Sequence, residues 1–429
     1  MKTGILGGGL SAVTLARHLG CECEIVEAAD RPGGLCRTFS AGGFLYDIGG
    51  HILFSKDDGT MRYVKEILDG NAVYQKRANK VLFRGRYVKY PFENDLAALD
   101  REDNYECLIG YLRNDHPPPS NFREWIYHTF GDGIAEKYLV PYNEKIWKED
   151  LGNMALEWVE RVPKPPLEDV VRSAVGISTE GYTHQLNFMY PDEGGIESLV
   201  RSSMRGEVPV ITSFTVKSIS GKNGGWIVSD GDRELEYERL VLTFSVKDAL
   251  RCLSGVPEEI VKAAALLKHN AVKVVMVGVD NESLLDRSAI YIPQRDVPFH
   301  RVCYMAYFSR KNAPPGKSSL IAEITTNSGH ELHQVSDDSL IEMTVKELHR
   351  LGIIDRRDVC ATDVHTEEYG YVVYDRSYSS NVAAVKDYFA GLGIGLLGRF
   401  AEFEYINMDT VIQRAVKMAG ELNEMEARL

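Results

Sequence analysis

The chain has 429 residues, beyond the size at which one hydrophobic core stops growing, so two or three domains are expected. Its composition, 44% hydrophobic and 26% charged, is that of a folded globular protein. A formal charge of −13 excludes a general nucleic-acid surface, so an anionic ligand would have to be held by a few placed arginines.

The N-terminus turns glycine-rich too soon for a signal peptide. No stretch approaches the ~18 apolar residues of a membrane helix, so no membrane insertion is expected. The seven cysteines are scattered and form neither a CxxC pair nor a Cys/His zinc spacing. Reduced thiols, a cytoplasmic location and no metal site follow as expectations. Cys21 and Cys23 alternate along one strand and read as core or face residues.

In chain order, Thr3–Leu6 predicts a strand and Leu10–Leu19 a helix, joined by Gly7-x-Gly9-x-x-Ala12. The glycines let backbone turn sharply and approach a pyrophosphate, which the amides of Leu10 and Ser11 at the helix start would stabilise. Glu27 closes the second strand, where its carboxylate would accept from a ribose hydroxyl, with Ala28 beside it. A second glycine turn follows, Arg31-Pro-Gly-Gly34-Leu35-x-Arg37, and then GFLYDIGGHILFS with Gly49, Gly50 and His51. A nicotinamide-binding unit has no use for that second turn. FAD is longer and would run on past the first helix, with Arg31 and Arg37 flanking its route. FAD is therefore the expected cofactor.

Residues 96–162 carry helical periodicity, interrupted by the extended loop HPPPSN at His116–Asn121. EGGIESLVR predicts a helix start, and VPVITSFTVKSIS, GGWIVSD and ERLVLTFS alternate like a small sheet returning to the nucleotide domain. Residues 268–374 alternate strand-like runs with a helix at Ser336–Leu351, and Met408–Leu422 predicts a closing helix. The fold expected is α/β. A discontinuous Rossmann-like FAD-binding domain (1–80, 191–265 and 381–429) carries an inserted helical domain (96–165) and an antiparallel β-sheet domain (81–95, 166–190 and 266–380).

The double glycine signature resembles the superfamily of amine oxidases, protoporphyrinogen oxidases, phytoene desaturases and UDP-galactopyranose mutases. Five further segments, in order, resemble the flavin-dependent UDP-galactopyranose mutases. They are YPFEND at Tyr90, VPYNEKIW with Asn143 and Trp147, Glu160-Arg161-Val162, VPFHR ending at Arg301, and Tyr-Gly-Tyr371. The twelve residues GRFAEFEYINMD close the series with Arg399, Tyr405, Asn407, Met408 and Asp409.

The resemblance implies that Arg301 and Arg399 grip a diphosphate during catalysis, with His51 beside the flavin. Tyr90, Asn143, Trp147, Arg161, Gln185, Tyr291, Tyr371 and Tyr405 would bind the nucleotide sugar. Val216 would offer backbone to adenine, and Asn407, Met408 and Asp409 would set the last helix against the flavin, which Arg399 also touches. Arginine suits a diphosphate because its planar fork donates two parallel charge-assisted bonds. The implied reaction is a redox-neutral ring contraction used in building cell-surface polysaccharides. Reduced flavin N5 attacks the anomeric carbon of a UDP-sugar and UDP leaves, with NAD(P)H or another reductant maintaining the flavin; a homodimer is compatible. The chain departs from the family at Asn407, where bacterial members carry aspartate, at Ala401 in place of glycine, and around Gln185 and Asn187. A flavin oxidase or desaturase, and a flavin-bound non-catalytic protein, stay open as alternatives.

Overall fold

The computed structural model describes residues 1–162, 164–180, 186–204, 208–222 and 224–428, apart from the side chains of 160 and 161. Gln185 and the side chain of Arg161 therefore lie outside the described residues.

A five-stranded parallel sheet is assembled from three stretches of chain. Its order is Gly395–Leu396, Arg239–Leu242, Thr3–Leu6, Cys23–Val26 and Val210–Ile211. Thr3–Leu6 is buried at every position, as a central strand covered on both faces requires. The helix Leu10–His18 covers one face and packs on the closing helix Met408–Ala427. That helix turns Val411, Ile412, Ala415 and Ala419 inward as one apolar stripe. It runs five residues past the expected Leu422. Asn423 explains the extension: its amide oxygen accepts from Gly20 N at 2.7 Å and its nitrogen donates to the His18 carbonyl at 2.9 Å. The expected small sheet is split. Ser218–Lys222, Gly225–Ser229 and Glu234–Tyr237 form a three-stranded meander, while the strands flanking it join the parallel sheet.

The large sheet has seven strands, in the order Val359–Val373, Lys268–Val279, Ser318–Thr326, Arg301–Cys303, Ala289–Tyr291, Asn79–Phe83 and Arg86–Lys89. It is not wholly antiparallel, because Asn79–Phe83 enters from earlier in the chain and pairs parallel to Ala289–Tyr291. Its register places Tyr291 opposite Arg301 and Arg301 opposite Glu323. Cross-strand partners project from the same face, so these three side chains form a row. A bulge between Asn270 and Val272 skips a step in the ladder and brings Gly370 and Tyr371 toward that row.

The helical insertion comprises Arg101–Leu112, Phe122–Ile134 and Val140–Trp147. Its first two helices are capped by Asp100 and Asn121 and are joined through HPPPSN. They cross at Gly131, whose φ is 69°; a Cβ there would lie 2.2 Å from the Gly110 carbonyl oxygen. Among the described residues, no helix is long and apolar enough to cross a membrane.

Candidate active site

A cavity of about 520 Å3 lies between the carboxyl edge of the parallel sheet and the inner face of the large one. That volume falls within the usual range for small-molecule and cofactor pockets.

At the nucleotide end, Gly7 through Ser11 line the wall. Gly7 has φ 105°, and a Cβ on it would lie 2.6 Å from Thr243 Oγ1, so only glycine makes this turn. Gly9 caps the first helix, and no side chain among the described residues satisfies its first amides. The first helical bond is Val13 N–H to the Gly9 carbonyl at 3.2 Å, which leaves the amides before it facing the cavity. Gly34 packs against Gly9, where a Cβ would come within 3.1 Å of the Gly9 Cα. Glu27 accepts from Gly8 N at 2.6 Å and Ala29 N at 2.8 Å, and its carboxylate also borders the cavity.

Of the two arginines expected to flank the cofactor, Arg37 faces this end and Arg31 does not. Arg31 turns away to Glu197 at 3.3 Å and to the Thr38 carbonyl at 3.3 Å, because the buried Glu197 offers it a carboxylate. Arg37 lines the cavity, and its Nε is buried without a hydrogen-bond partner among the described residues. Such a donor is expensive to leave unpaired and fits a phosphate oxygen. Leu35 lies on the wall beside it. Ala28 is exposed, and the Val216 carbonyl accepts from Cys252 Sγ at 3.2 Å; neither residue lines the cavity.

The middle of the cavity is built from Gly49, Gly50 and His51. A Cβ on Gly50 would lie 2.5 Å from Cys303 Sγ, so backbone alone fits there. Burial lowers the His51 imidazole to about 4, and Arg399 adds to the effect, so the ring is neutral at physiological pH. Its Nδ1 is sealed from solvent and unpartnered among the described residues. Opposite, Asn407, Met408 and Asp409 open the closing helix, and no side chain among the described residues caps its first amides. Two uncapped helix N-termini thus face one cavity, which favours a ligand carrying negative charge at two points. The glycine cradle, the orphaned Arg37 Nε and His51 Nδ1, and these amides together fit a flavin dinucleotide.

The far end gathers Arg301, Glu323, Tyr371, Arg399, Tyr405 and Tyr291. Arg301 donates a two-pronged fork to Glu323, at 2.7 Å from Nε and 2.6 Å from Nη2. Glu323 is 1% exposed, whereas the Arg301 side chain keeps 25% of its surface. Burial alone would raise the Glu323 carboxyl; Arg301 more than offsets this and holds it at about 2. Gly50 N, Cys303 Sγ and Tyr371 Oη also donate to Glu323, at 3.1, 3.3 and 3.4 Å. Arg399 donates from Nε and Nη2 to the Ile406 carbonyl, at 3.0 and 2.7 Å, and lies 4.6 Å from the centroid of the Tyr405 ring. Tyr405 in turn stacks on Tyr371 at 5.9 Å. Asn79 donates to Tyr291 Oη at 3.2 Å, and Tyr90 backs the Tyr291 ring at 4.5 Å without lining the cavity.

Asn143 and Trp147 do not reach the cavity. Trp147 is 1% exposed, its Nε1 donates to Asn143 Oδ1 at 3.1 Å, and its ring packs on Trp158, Tyr371 and Tyr405. It supports the tyrosine wall from behind. Sequence reasoning passed over Glu323, Arg77 and Cys303 as site residues. Glu323 carried a signal, as the lone charge in the apolar run SSLIAEITT. Arg77, which lines the cavity with its guanidinium 5.2 Å from the Phe54 ring centroid, carried none.

Residues 8–381 match the family of flavin-containing amine oxidoreductases. The structure is similar to that of a reduced UDP-galactopyranose mutase, at a TM-score of 0.90 and 25% identity over 99% of this chain and 96% of that one. It also resembles cyclohexylamine oxidase from Brevibacterium oxydans, with TM-score 0.70, 14% identity and 99% of each chain covered. An oxidoreductase from Methanosarcina mazei matches at TM-score 0.65 and 17% identity, over 98% of this chain and 100% of that one. The last two share the fold alone. The chain belongs to the flavin-containing amine oxidoreductase family, and its cofactor is a flavin.

Proposed function

We propose that this flavoprotein is an FAD-dependent UDP-sugar mutase that interconverts pyranose and furanose rings. The observation that carries this reading is the convergence of Arg301, Arg399, Tyr371 and Tyr405 on the cavity that also holds His51 and two uncapped helix N-termini. The 25% identity to a UDP-galactopyranose mutase supports it across nearly the whole chain.

FAD would be held by Glu27 at the ribose, by Arg37 and the Leu10–Ala12 amides at the pyrophosphate, and by Gly49–His51 and the Met408–Asp409 amides at the ring. When bound and reduced, it supplies the nucleophile that displaces UDP from the anomeric carbon. Arg399 and Arg301 orient the diphosphate and stabilise the negative charge that grows on it as it departs. Arg301 keeps Nε and Nη2 on Glu323 and would offer its remaining nitrogen to the incoming oxygens. Neutral His51 keeps one ring nitrogen as acceptor and the other as donor toward the cofactor. Tyr371, Tyr405 and Tyr291 wall the far end and limit water there.

One observation favours a second reading, amine oxidation. Arg301 is already matched by Glu323 and all three Arg399 nitrogens by the Ile406 and Gly370 carbonyls, so the far end is less positive than its arginines suggest. Calorimetric titration of the flavin-loaded protein with UDP separates the two. Saturable UDP binding, with no hydrogen peroxide released on adding primary amines, supports the mutase; absent UDP binding with peroxide release supports the oxidase.

A further inference from the structure

The segment VPYNEKIW reaches the site by a route other than Asn143 and Trp147. Between them on the helix Val140–Trp147 stands Lys145, 6% exposed. Its Nζ donates to three backbone carbonyls, those of Ile292 at 2.8 Å, Gln294 at 2.8 Å and Phe299 at 2.6 Å. An ammonium has three donors, and all three are used. Lys145 makes no ion pair among the described residues, so backbone carbonyls are its direct partners.

All three acceptors lie in the turn that joins Ala289–Tyr291 to Arg301–Cys303. Ile292 directly follows Tyr291, and Phe299 stands two residues before Arg301. Among the described residues the turn has two backbone bonds of its own, Ile292 N to the His300 carbonyl and Val297 N to the Gln294 carbonyl. Without Lys145 the buried Ile292 and Phe299 carbonyls would lose the donor shown for them, and the Gln294 carbonyl would keep only Val297 N. On the solvent side, Arg295 pairs with Glu144 of the same helix at 2.6 Å, a contact too exposed to hold the turn alone. The helix is anchored in turn by Asn270, which donates to the Ile146 and Trp147 carbonyls at 3.3 and 2.5 Å.

We propose that Lys145 is a positioning residue: by clasping the tip of this hairpin it fixes the Tyr291–Arg301 pair at the hairpin's neck, and so aims the Arg301 fork between Glu323 and the cavity. The helical insertion thereby controls anion recognition without touching the ligand. Burial pushes the Lys145 ammonium well below its usual range, with Lys148 adding to the effect and Asp296 opposing it, so the three carbonyls work against that cost in keeping the third donor in place.

The binding readout rests on the diphosphate reading of the site; a second readout does not. UDP affinity is measured by calorimetry on flavin-loaded wild type, Lys145→Met, Arg301→Ala and the double variant. If Lys145 acts through Arg301, Lys145→Met weakens UDP binding about tenfold in the wild-type background and less than about twofold when Arg301 is absent. An equal loss in both backgrounds, as a general packing defect would give, overturns the proposal, as does unchanged affinity. If Lys145→Met does not fold, Lys145→Gln replaces it in the same cycle, because it keeps two donors in similar volume. Amide hydrogen exchange over residues 289–303 is measured alongside, on holoprotein with full flavin content. The proposal requires exchange there to rise about tenfold in the Lys145 variant. If wild type binds no UDP, the diphosphate reading falls and exchange alone decides: unchanged protection of 289–303 overturns the clasp.

Discussion

Replacing Arg301 by alanine should damage the protein in a way that a second substitution repairs. The change leaves Glu323, 1% exposed, as an uncompensated buried carboxylate. In the intact protein the carboxyl drops from 4.5 to about 2, which corresponds to about 3 kcal/mol of stabilisation. Breaking a buried pair by removing one partner costs about 3–5 kcal/mol, and the part exposure of Arg301 favours the lower figure. Because the folded value lies below the unfolded one, the pair's contribution is complete above about pH 4.5 and is lost as pH falls through about 2. In Arg301→Ala, burial raises the same carboxyl above its unfolded value. That reverses the dependence, so stability should decline as pH rises from about 5 to 8. Urea denaturation of the holoprotein, followed by tryptophan fluorescence across that range, is the assay. Arg301→Ala should lose about 3 kcal/mol at pH 7, and adding Glu323→Gln should recover about 2 of it. A loss below about 1 kcal/mol, or no recovery in the double variant, would refute the reasoning.

The purified protein should be yellow, and acid precipitation should release all its FAD, since the proposed contacts are non-covalent; flavin retained in the pellet contradicts this. His51, neutral above about 4, should contribute no ionisation to ligand binding between pH 5 and 8. A limb near pH 6.5 that disappears in His51→Gln would show the ring to be titrating. Trp147→Phe should lower stability by about 0.5–3 kcal/mol while leaving UDP affinity within about twofold, because the ring lies behind the tyrosine wall. A large fall in affinity at unchanged stability would place it in contact with the ligand.

The nucleotide end was legible because its logic is local. Gly7, Gly9 and Glu27 lie within one strand-turn-helix-strand unit, and their roles follow from backbone geometry over a few residues. Arg31 and Arg37 could not be told apart, since the choice between them rests on Glu197, more than 150 residues away, which claims one and leaves the other to the cavity. At the far end Arg301 could be named from its motif, but its partner could not. The pairing with Glu323 depends on strand register, which sequence pattern leaves open. The segment around Trp147 shows the same limit in reverse. Its aromatic and amide residues looked like ligand contacts, yet they satisfy each other in the interior, and the residue that reaches toward the site is a lysine whose acceptors are backbone carbonyls invisible to any motif.

The central claim is tested most directly by turnover. The holoprotein is reduced with dithionite under anaerobic conditions and incubated with UDP-galactopyranose and other UDP-hexoses, and the products are resolved by anion-exchange chromatography and proton NMR. The account predicts a UDP-furanose at equilibrium with its pyranose, formed by the reduced protein and not by the oxidised one. No new nucleotide sugar from any UDP-hexose, with flavin bound and fully reduced, would contradict it.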